Sequence, residues 1–362
     1  MLSSGTLTLL LPFGFAQGRG PKGRDEVNEK GRDEVIWSRD DAAFAPSPRS
    51  LPHLHIHHIF TSPSLPSCVF TVDVEDWFHI LDVPSTPPLA QWPALQSDVE
   101  RNTRRMLDIF REKQVKCTLF FLAWVAERWP HLVREALADG HEVASHGYAH
   151  DLVYTISREK FSADIRKAKD IIEQAGGASV LGYRCPGFSV TVQTPWFFDE
   201  VRAAGYVYDS SVFPGSRGHG GLPGAKPVPH VIKTSHGDLV EFPISLAPLP
   251  LLDFSVASRP ATHTSGVARS NKRAYFFGGG YLRFFPYALI RNRVKAVLAE
   301  DRPVIFYLHP REIDPAQPRL PMSAKRNFMT YVGLKTTEPK MRKLFDEFVF
   351  TTFSEMLGTV RG

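Results

Sequence analysis

The chain has 362 residues, 43% of them hydrophobic, so it can bury a large core as one big domain or two smaller ones. Its formal net charge of +5 is mild and its basic residues are spread along the chain, so we expect no nucleic-acid partner. Three cysteines without a CxxC pair argue against a disulfide scaffold, and no apolar run reaches the roughly 18 residues of a transmembrane helix.

The first 65 residues do not have the pattern of a folded domain. The charged sequence GRDEV occurs at residues 23–27 and again at 31–35, and five prolines follow between residues 46 and 66. Because this segment has little apolar periodicity, we predict that residues 1–65 are a disordered or spurious N-terminal extension. The apolar residues 7–16 have no preceding lysine or arginine and are a poor signal peptide, so we expect a cytoplasmic or envelope-associated location.

From residue 68 onward, strand-like and helix-like segments alternate. Runs rich in β-branched and apolar residues predict strands at residues 68–75, 116–122, 142–145, 180–184, 206–210, 239–244, 303–309 and 348–353. Apolar periodicity and capping residues predict helices at residues 98–113, 123–139, 157–174, 194–204, 286–299 and 338–346, whereas 253–280 has no clear pattern. Such alternation is typical of a parallel sheet, either doubly wound or closed into a barrel.

Chemically reactive side chains recur where the predicted strands end. They are Asp73, Glu75, His146, His150, Arg184, Asp209 and His309. Parallel α/β folds build their sites at the carboxyl ends of the strands. The pattern therefore predicts that these side chains meet in one site.

Two of these residues have the spacing of metal ligands. His146 and His150 lie four residues apart, and two neutral imidazoles can bind one divalent ion if a carboxylate joins them. Asp73 and Glu75 share one face of their strand, so one can bind the ion while the other takes a proton from water. Loop histidines and a solvated strand edge are the alternative interpretations.

Arg184 and His309 also have two interpretations each. Arg184 either forms a surface ion pair or orients Asp73 and keeps it ionised. His309 is either a hydrogen-bonded core histidine or the general acid that protonates a leaving amine.

Together these stretches resemble the polysaccharide deacetylases of the NodB-homology type, carbohydrate esterase family 4. The resemblance covers residues 67–353, and its motifs are Thr71–Asp76, Ser145–His150, Arg184–Pro186, Tyr208–Ser211 and Leu308–Pro310. Residues 73–79 and 308–315 most closely resemble the branch found in exosortase-linked exopolysaccharide loci.

The resemblance implies a distorted (β/α) barrel of about seven to eight parallel strands. It places this deacetylase domain at residues 66–362, including a C-terminal extension. It also implies a divalent metal, usually zinc, with roles that fall on these residues: Asp73 as base, His146 and His150 as ligands, Arg184 as the residue that positions the base, and His309 as acid.

The first motif departs from the family pattern. Many members have two adjacent aspartates there, base and then ligand, whereas this chain has Asp73-Val74-Glu75-Asp76. We place the ligand on Glu75 because it shares the strand face of Asp73. Asp76 is the alternative ligand, since a bulge at the strand end would bring it round.

The implied reaction is metal-dependent removal of N-acetyl groups from the amino sugars of a polysaccharide or oligosaccharide, in exopolysaccharide biosynthesis or modification. An allantoinase-like amidase acting on a small cyclic amide and a non-catalytic carbohydrate-binding barrel are the alternatives. Residues predicted to contact the sugar are Trp77, Tyr148, Pro186, Gly187 and Phe188. Aromatic side chains can stack on sugar rings, although they more often belong to the core.

Overall fold

The structure is a computed structural model that describes residues 67–215, 220–248 and 273–360. The prediction for residues 1–65 lies outside the described residues, as does most of the unassigned segment 253–280.

A nine-stranded sheet forms the centre of the fold, and a short two-stranded ribbon lies beside it. The strands are β1 (Cys68–Val74), β2 (Thr118–Phe121), β3 (Glu142–Ser145), β4 (Gly182–Tyr183), β5 (Tyr208–Asp209), β6 (His230–Thr234), β7 (Gly237–Glu241), β8 (Leu246–Pro248), β9 (Arg273–Tyr275), β10 (Val304–Leu308) and β11 (Phe350–Thr351). The order in the sheet is β10-β1-β2-β3-β4-β5-β7-β6, with β11 beside β1. All pairs in this sheet are parallel except β6 with β7. The predicted parallel α/β architecture is therefore confirmed.

Side-chain and backbone contacts bring the chain round from the β7 side of the sheet to β10. The Ser245 hydroxyl donates to the Pro303 carbonyl (3.0 Å) and accepts from the Ile305 N–H (2.9 Å). The Tyr307 N–H donates to the carbonyl of Phe277 (3.2 Å). Among the described residues, no strand ladder joins the β7 side of the sheet to β10, and these hydrogen bonds close the barrel wall there.

Helices cover the outside of the sheet. They are α1 (Val99–Lys113), α2 (Ala123–Arg128), α3 (Pro130–Ala138), α4 (Arg158–Gly176), α5 (Phe197–Ala203), α6 (Gly279–Phe284), α7 (Tyr287–Leu298), α8 (Ala324–Tyr331), α9 (Thr337–Glu347) and α10 (Phe353–Leu357). Short 3₁₀ turns occupy Trp77–His79, Leu89–Ala94, Val153–Thr155, Pro186–Phe188, Pro310–Ile313 and Leu334–Thr336. None of the helices in the described ranges is long and apolar enough to cross a membrane.

The single helix predicted for residues 123–139 is wrong. The chain leaves the helical conformation at Trp129 (φ −127°, ψ 62°), between α2 and α3. Pro130 explains the break, because it has no N–H to donate and its ring disfavours the α conformation in the preceding residue.

The register of the central strands brings their carboxyl ends level. Val74 at the end of β1 pairs with Phe121 of β2, and Phe121 pairs with Ser145 at the end of β3. Ser145 in turn pairs with Tyr183 at the end of β4. The residues that follow β1, β3 and β4 therefore emerge side by side at one rim of the barrel.

Beneath this rim, the ends of β5 and β7 bury two acids side by side. Asp209 accepts hydrogen bonds from the Ser211 N–H (3.0 Å) and hydroxyl (2.6 Å), as an ionised carboxylate does. Burial and the neighbouring Asp209 charge raise the pKa of Glu241 well above its usual value. Glu241 Oε2 has no donor among the described residues, which fits a protonated hydroxyl that bonds to Asp209.

We expect Glu241→Gln to make the protein more resistant to high pH. Since the folded-state pKa of Glu241 is raised, its stabilising contribution is complete below the unfolded-state pKa and is lost as pH rises through the folded-state pKa. Glutamine keeps a donor toward Asp209 and does not titrate. Denaturant unfolding at pH 5 to 9 should show an advantage for the variant that grows with pH, and parallel pH profiles for both proteins would contradict the assignment.

Candidate metal centre and active site

The candidate site residues lie where the strand register places them. Glu75 comes one residue after β1, His146 one residue after β3, and Arg184 one residue after β4. His309 follows β10, which pairs with β1 on its other side. All four line one cleft or lie directly behind its wall.

Three buried side chains form a cluster with metal-site dimensions. One ligand atom from each of Glu75, His146 and His150 lies within 4.8 Å of the other two. Glu75 Oε2 is 2.6 Å from His150 Nε2, yet Oε2 makes no hydrogen bond of acceptable geometry with any described residue. The two atoms therefore do not bond along an N–H···O line, as expected of ligands whose lone pairs converge on an ion.

The hydrogen bonding of His146 prepares it as a ligand. Its Nδ1–H donates to the Arg184 carbonyl (2.8 Å), which leaves the Nε2 lone pair for the cluster. Burial lowers the pKa of His146 to about 4, so the ring is neutral at pH 7. Two imidazole nitrogens and one carboxylate oxygen form a donor set that fits a divalent ion such as zinc.

An acidic residue from α4 holds the loop that carries both histidines. Asp164 accepts from the N–H groups of Tyr148 (2.9 Å) and Ala149 (3.3 Å). A Cβ on Gly147, where φ is +74°, would lie 3.0 Å from Asp164 Oδ2. His150 also adopts the left-handed conformation (φ +57°), which costs roughly 1–2 kcal/mol for a residue with a side chain. The fold thus maintains strain at one of the candidate ligands.

Arg184 holds Asp73 in place from behind the cleft wall. The arginine is fully buried, and its Nη1 donates to Asp73 Oδ1 (2.7 Å) and to the Thr71 hydroxyl (2.6 Å). Its other nitrogens donate to the carbonyl (3.2 Å) and hydroxyl (3.1 Å) of Ser210. Asp73 lines the cleft but is not part of the ligand cluster. This is the arrangement expected of a carboxylate that is fixed in position and available to take a proton.

His309 lies between two carboxylates. Its Nε2 is 2.9 Å from Glu75 Oε1, and its Nδ1 is 3.1 Å from Glu312 Oε2. Burial alone would lower the pKa of His309, but Glu75 and Glu312 raise it to about 10. The same contacts, with His150, hold the pKa of Glu75 well below its usual range despite burial. The two carboxylates therefore favour the protonated form of His309.

Sequence reasoning missed Glu312 and the arginine behind it. Arg283 of α6 is buried, and its Nε is 3.2 Å from Glu312 Oε1. Gly279 makes room for this pair, because a Cβ there would lie 1.9 Å from Glu312 Oε2. The spacing His309-x-x-Glu312 was the available signal, since it forms a capping box around a 3₁₀ turn.

Glu312→Gln should move the alkaline limb of activity to lower pH. A general acid works only while protonated, so the rate falls as pH rises through the His309 pKa, which Glu312 helps to raise. Losing one adjacent negative charge should move that limb by about one pH unit or more. The pH profile of kcat measures this, with Glu135→Gln on the outside of α3 as control. Identical alkaline limbs for Glu312→Gln and the control would contradict the role given to His309.

The alternative ligand, Asp76, has other partners. Its carboxylate accepts from the hydroxyl of Ser97 and from the N–H groups of Trp77 (2.8 Å) and Asp98 (3.3 Å). These bonds cap the turn after β1 and fix it to the residues before α1. Burial raises the pKa of Asp76 to about 6. In the described part of the chain, the ligand cluster contains Glu75 and not Asp76.

A second histidine near the cluster was also missed. His79 lines the cleft, is 1% exposed, and accepts the Asp76 N–H at Nδ1 (2.9 Å). Its neutral form therefore carries its proton on Nε2, which has no acceptor among the described residues. Burial, with the nearby His150, lowers the pKa of His79 well below its usual value.

The five predicted sugar contacts divide into two groups. Gly187 and Phe188 line the cleft. Trp77, Tyr148 and Pro186 do not, so the structure does not bring them to the ligand cluster. The Trp77 indole donates to the Gln96 carbonyl (3.0 Å), and the Tyr148 hydroxyl donates to Glu127 (2.9 Å) with Lys167 over its ring (3.3 Å).

Two family models match the chain. Residues 93–208 match a model described as polysaccharide deacetylase, and residues 260–358 match a domain of unknown function (DUF3473). His146, His150 and Arg184 lie in the first region, and His309 and Glu312 in the second. The second region thus contributes β10 to the sheet and side chains to the same cleft.

Curated relatives share parts of the chain. A peptidoglycan-N-acetylglucosamine deacetylase of Bacillus cereus is 30% identical over 104 residues, which cover 29% of this chain and 47% of that protein. A chitooligosaccharide deacetylase of Sinorhizobium fredii is 33% identical over 85 residues, covering 23% and 40%. The chain therefore spans less than half the length of these curated relatives.

A solved structure shares the fold over most of the chain. The protein, from Mycobacterium smegmatis and assigned as a polysaccharide deacetylase, superposes with a TM-score of 0.53 at 19% identity. The match covers 83% of this chain and 93% of that chain. This likeness confirms the predicted fold class.

Proposed function

We propose that this chain removes N-acetyl groups from amino sugars of a polysaccharide in a metal-dependent reaction, because residues 93–208 match the polysaccharide deacetylase model and the similar curated proteins are deacetylases. The observation that carries this proposal is the placement of Asp73, held by Arg184, and of His309, held between two carboxylates, around one cluster of metal-ligand atoms. Hydrolysis of an amide needs both a base for water and an acid for nitrogen.

Glu75, His146 and His150 would hold the metal, with zinc as the ion that suits this donor set best. A divalent ion there supplies a Lewis acid for the acetyl carbonyl and lowers the pKa of water. The remaining steps are assigned to protein side chains.

Asp73 takes the proton from the attacking water while Arg184 keeps its carboxylate in position. The water oxygen bonds to the acetyl carbon, and the bond between that carbon and the sugar nitrogen then breaks. His309 donates its proton to the nitrogen, so the sugar leaves as an amine and acetate is released. Glu312, backed by Arg283, keeps His309 oriented and protonated.

The second matched region and the motifs at residues 73–79 and 308–315 support a substrate in exopolysaccharide biosynthesis or modification.

The test is release of acetate and free amine from a panel of N-acetylated oligosaccharides, with allantoin as the cyclic-amide control. We expect both products in equal amounts from at least one oligosaccharide and no turnover of allantoin. Turnover of the cyclic amide alone would instead favour the amidase. Saturable binding of oligosaccharide without product would favour a non-catalytic binding protein.

A further inference from the structure

One arginine in the cleft has no role in the proposed chemistry. Arg311 lies in the 3₁₀ turn Pro310–Ile313, two residues after His309, and lines the cleft with Asp73 and the ligand cluster. Its Nε and Nη1 atoms are buried and have no hydrogen-bond acceptor among the described residues. Buried charged donors without a partner are costly, so such a group in a native site calls for an acceptor.

The carboxylates around the cleft already have cationic partners. Asp73 pairs with Arg184, and Glu75 lies between His150 and His309. Glu312, the neighbour of Arg311 in the same turn, is engaged by His309 and Arg283. No ion pair joins Arg311 to an acid in the part of the chain that the structure describes. Glu312 lies near enough to feel the charge of Arg311, but the Nε and Nη1 donors of Arg311 remain available to an acceptor in the cleft.

The cleft holds further positive charge beside it. Arg326, from α8, lines the same wall and donates from Nη2 to the Leu81 carbonyl (2.7 Å). This wall thus contains two guanidinium groups, of which Arg326 is held by contacts of its own. Guanidinium is the side-chain group that best matches carboxylate geometry and is weakly enough hydrated to work in a partly buried site.

We propose that Arg311 binds a carboxylate of the substrate, on a sugar adjoining the one that loses its acetyl group. The natural substrate is then an acidic N-acetylated polysaccharide, with uronic-acid or similar residues next to the amino sugar. This inference rests on the proposed deacetylase function. It gives the region matched to the domain of unknown function a role in substrate choice, since Arg311 and Arg326 both lie there.

The test compares a hyaluronan tetrasaccharide, in which N-acetylglucosamine alternates with glucuronate, with its methyl ester, which lacks the negative charge and adds one methyl group at each carboxyl. Metal-loaded wild-type protein should show a kcat/KM at least about 10-fold higher for the acid, mainly through KM. Arg311→Gln should lower kcat/KM for the acid by about 10- to 100-fold, the range for hydrogen bonds to charged groups, and change that for the ester less than about twofold. Arg311→Lys should recover part of the loss.

The matched control is Arg319→Gln. Arg319 is exposed, stacks on the ring of Tyr331 (4.9 Å) and lies outside the cleft lining, so its loss should leave both probes unaffected. Equal losses on acid and ester in Arg311→Gln would overturn the proposal, as would a wild-type protein without preference for the acid. Acetate, a product of the proposed reaction, also carries a carboxylate group. If Arg311→Gln relieves inhibition by acetate without changing the preference for the acid, Arg311 serves the product and the proposal fails.

Calorimetric binding of both probes to Asp73→Asn protein separates this inference from the deacetylase function. If neither probe is turned over, the proposed deacetylase function fails for these two probes. The carboxylate site is still supported if the acid binds more tightly than the ester and if Arg311→Gln removes that difference. Equal dissociation constants for acid and ester would overturn it.

Discussion

Replacing Asp73 with asparagine should lower kcat by about 100-fold or more, which is the usual scale for loss of a general base. The metal should stay in place. Asparagine retains an oxygen that can accept from Arg184 Nη1, so the buried guanidinium keeps its partner. It cannot accept the proton of the attacking water. Asp73 is outside the ligand cluster, which is why metal content should not change.

The control for this variant is Asp76→Asn. Asp76 lies three residues along the chain and is equally buried, but it caps a turn and has Ser97 and backbone N–H groups as partners. The Asp76→Asn protein should therefore keep its turnover within a few-fold of wild type, because the change weakens only a helix-capping interaction. Near wild-type turnover by metal-loaded Asp73→Asn would end the assignment of Asp73 as base.

Glu75→Ala should cause the largest loss of metal. Removing this carboxylate takes one of three donors from the cluster and the partner of both His150 and His309. Affinity should fall by more than the roughly 10- to 100-fold that follows loss of an outer partner of a ligand. Metal per chain, measured by elemental analysis after dialysis at matched protein concentration, tests this.

Asp76→Ala is the companion variant because Asp76 was the competing ligand. The hydrogen bonds of Asp76 predict that this protein keeps a full complement of metal. Loss of metal from Asp76→Ala, with retention by Glu75→Ala, would transfer the ligand role to Asp76.

The sequence was sufficient to predict which strand ends meet. Glu75, His146 and Arg184 each follow a strand of the alternating pattern, and parallel strands end at a shared edge whatever the details of their loops. The sheet register confirms this edge. That inference needed only the strand positions and not the helix boundaries.

The surroundings of these residues could not be predicted in the same way. Asp164 reaches the histidine loop from α4, and Arg283 reaches Glu312 from α6, by tertiary packing that leaves no local pattern in the sequence. Tyr148 was predicted to contact the sugar because it is an aromatic residue near the motifs. In the structure Tyr148 lies outside the cleft lining, and its hydroxyl donates to Glu127.

The metal dependence of acetate release tests the central claim most directly. Protein stripped with a chelator and dialysed should release neither acetate nor amine from an N-acetylated oligosaccharide that the untreated protein deacetylates. Adding zinc in steps should restore the rate in proportion to bound metal, with a plateau near one equivalent per chain, and both products should appear in equal amounts. Full activity in stripped protein with no measurable metal would contradict the account.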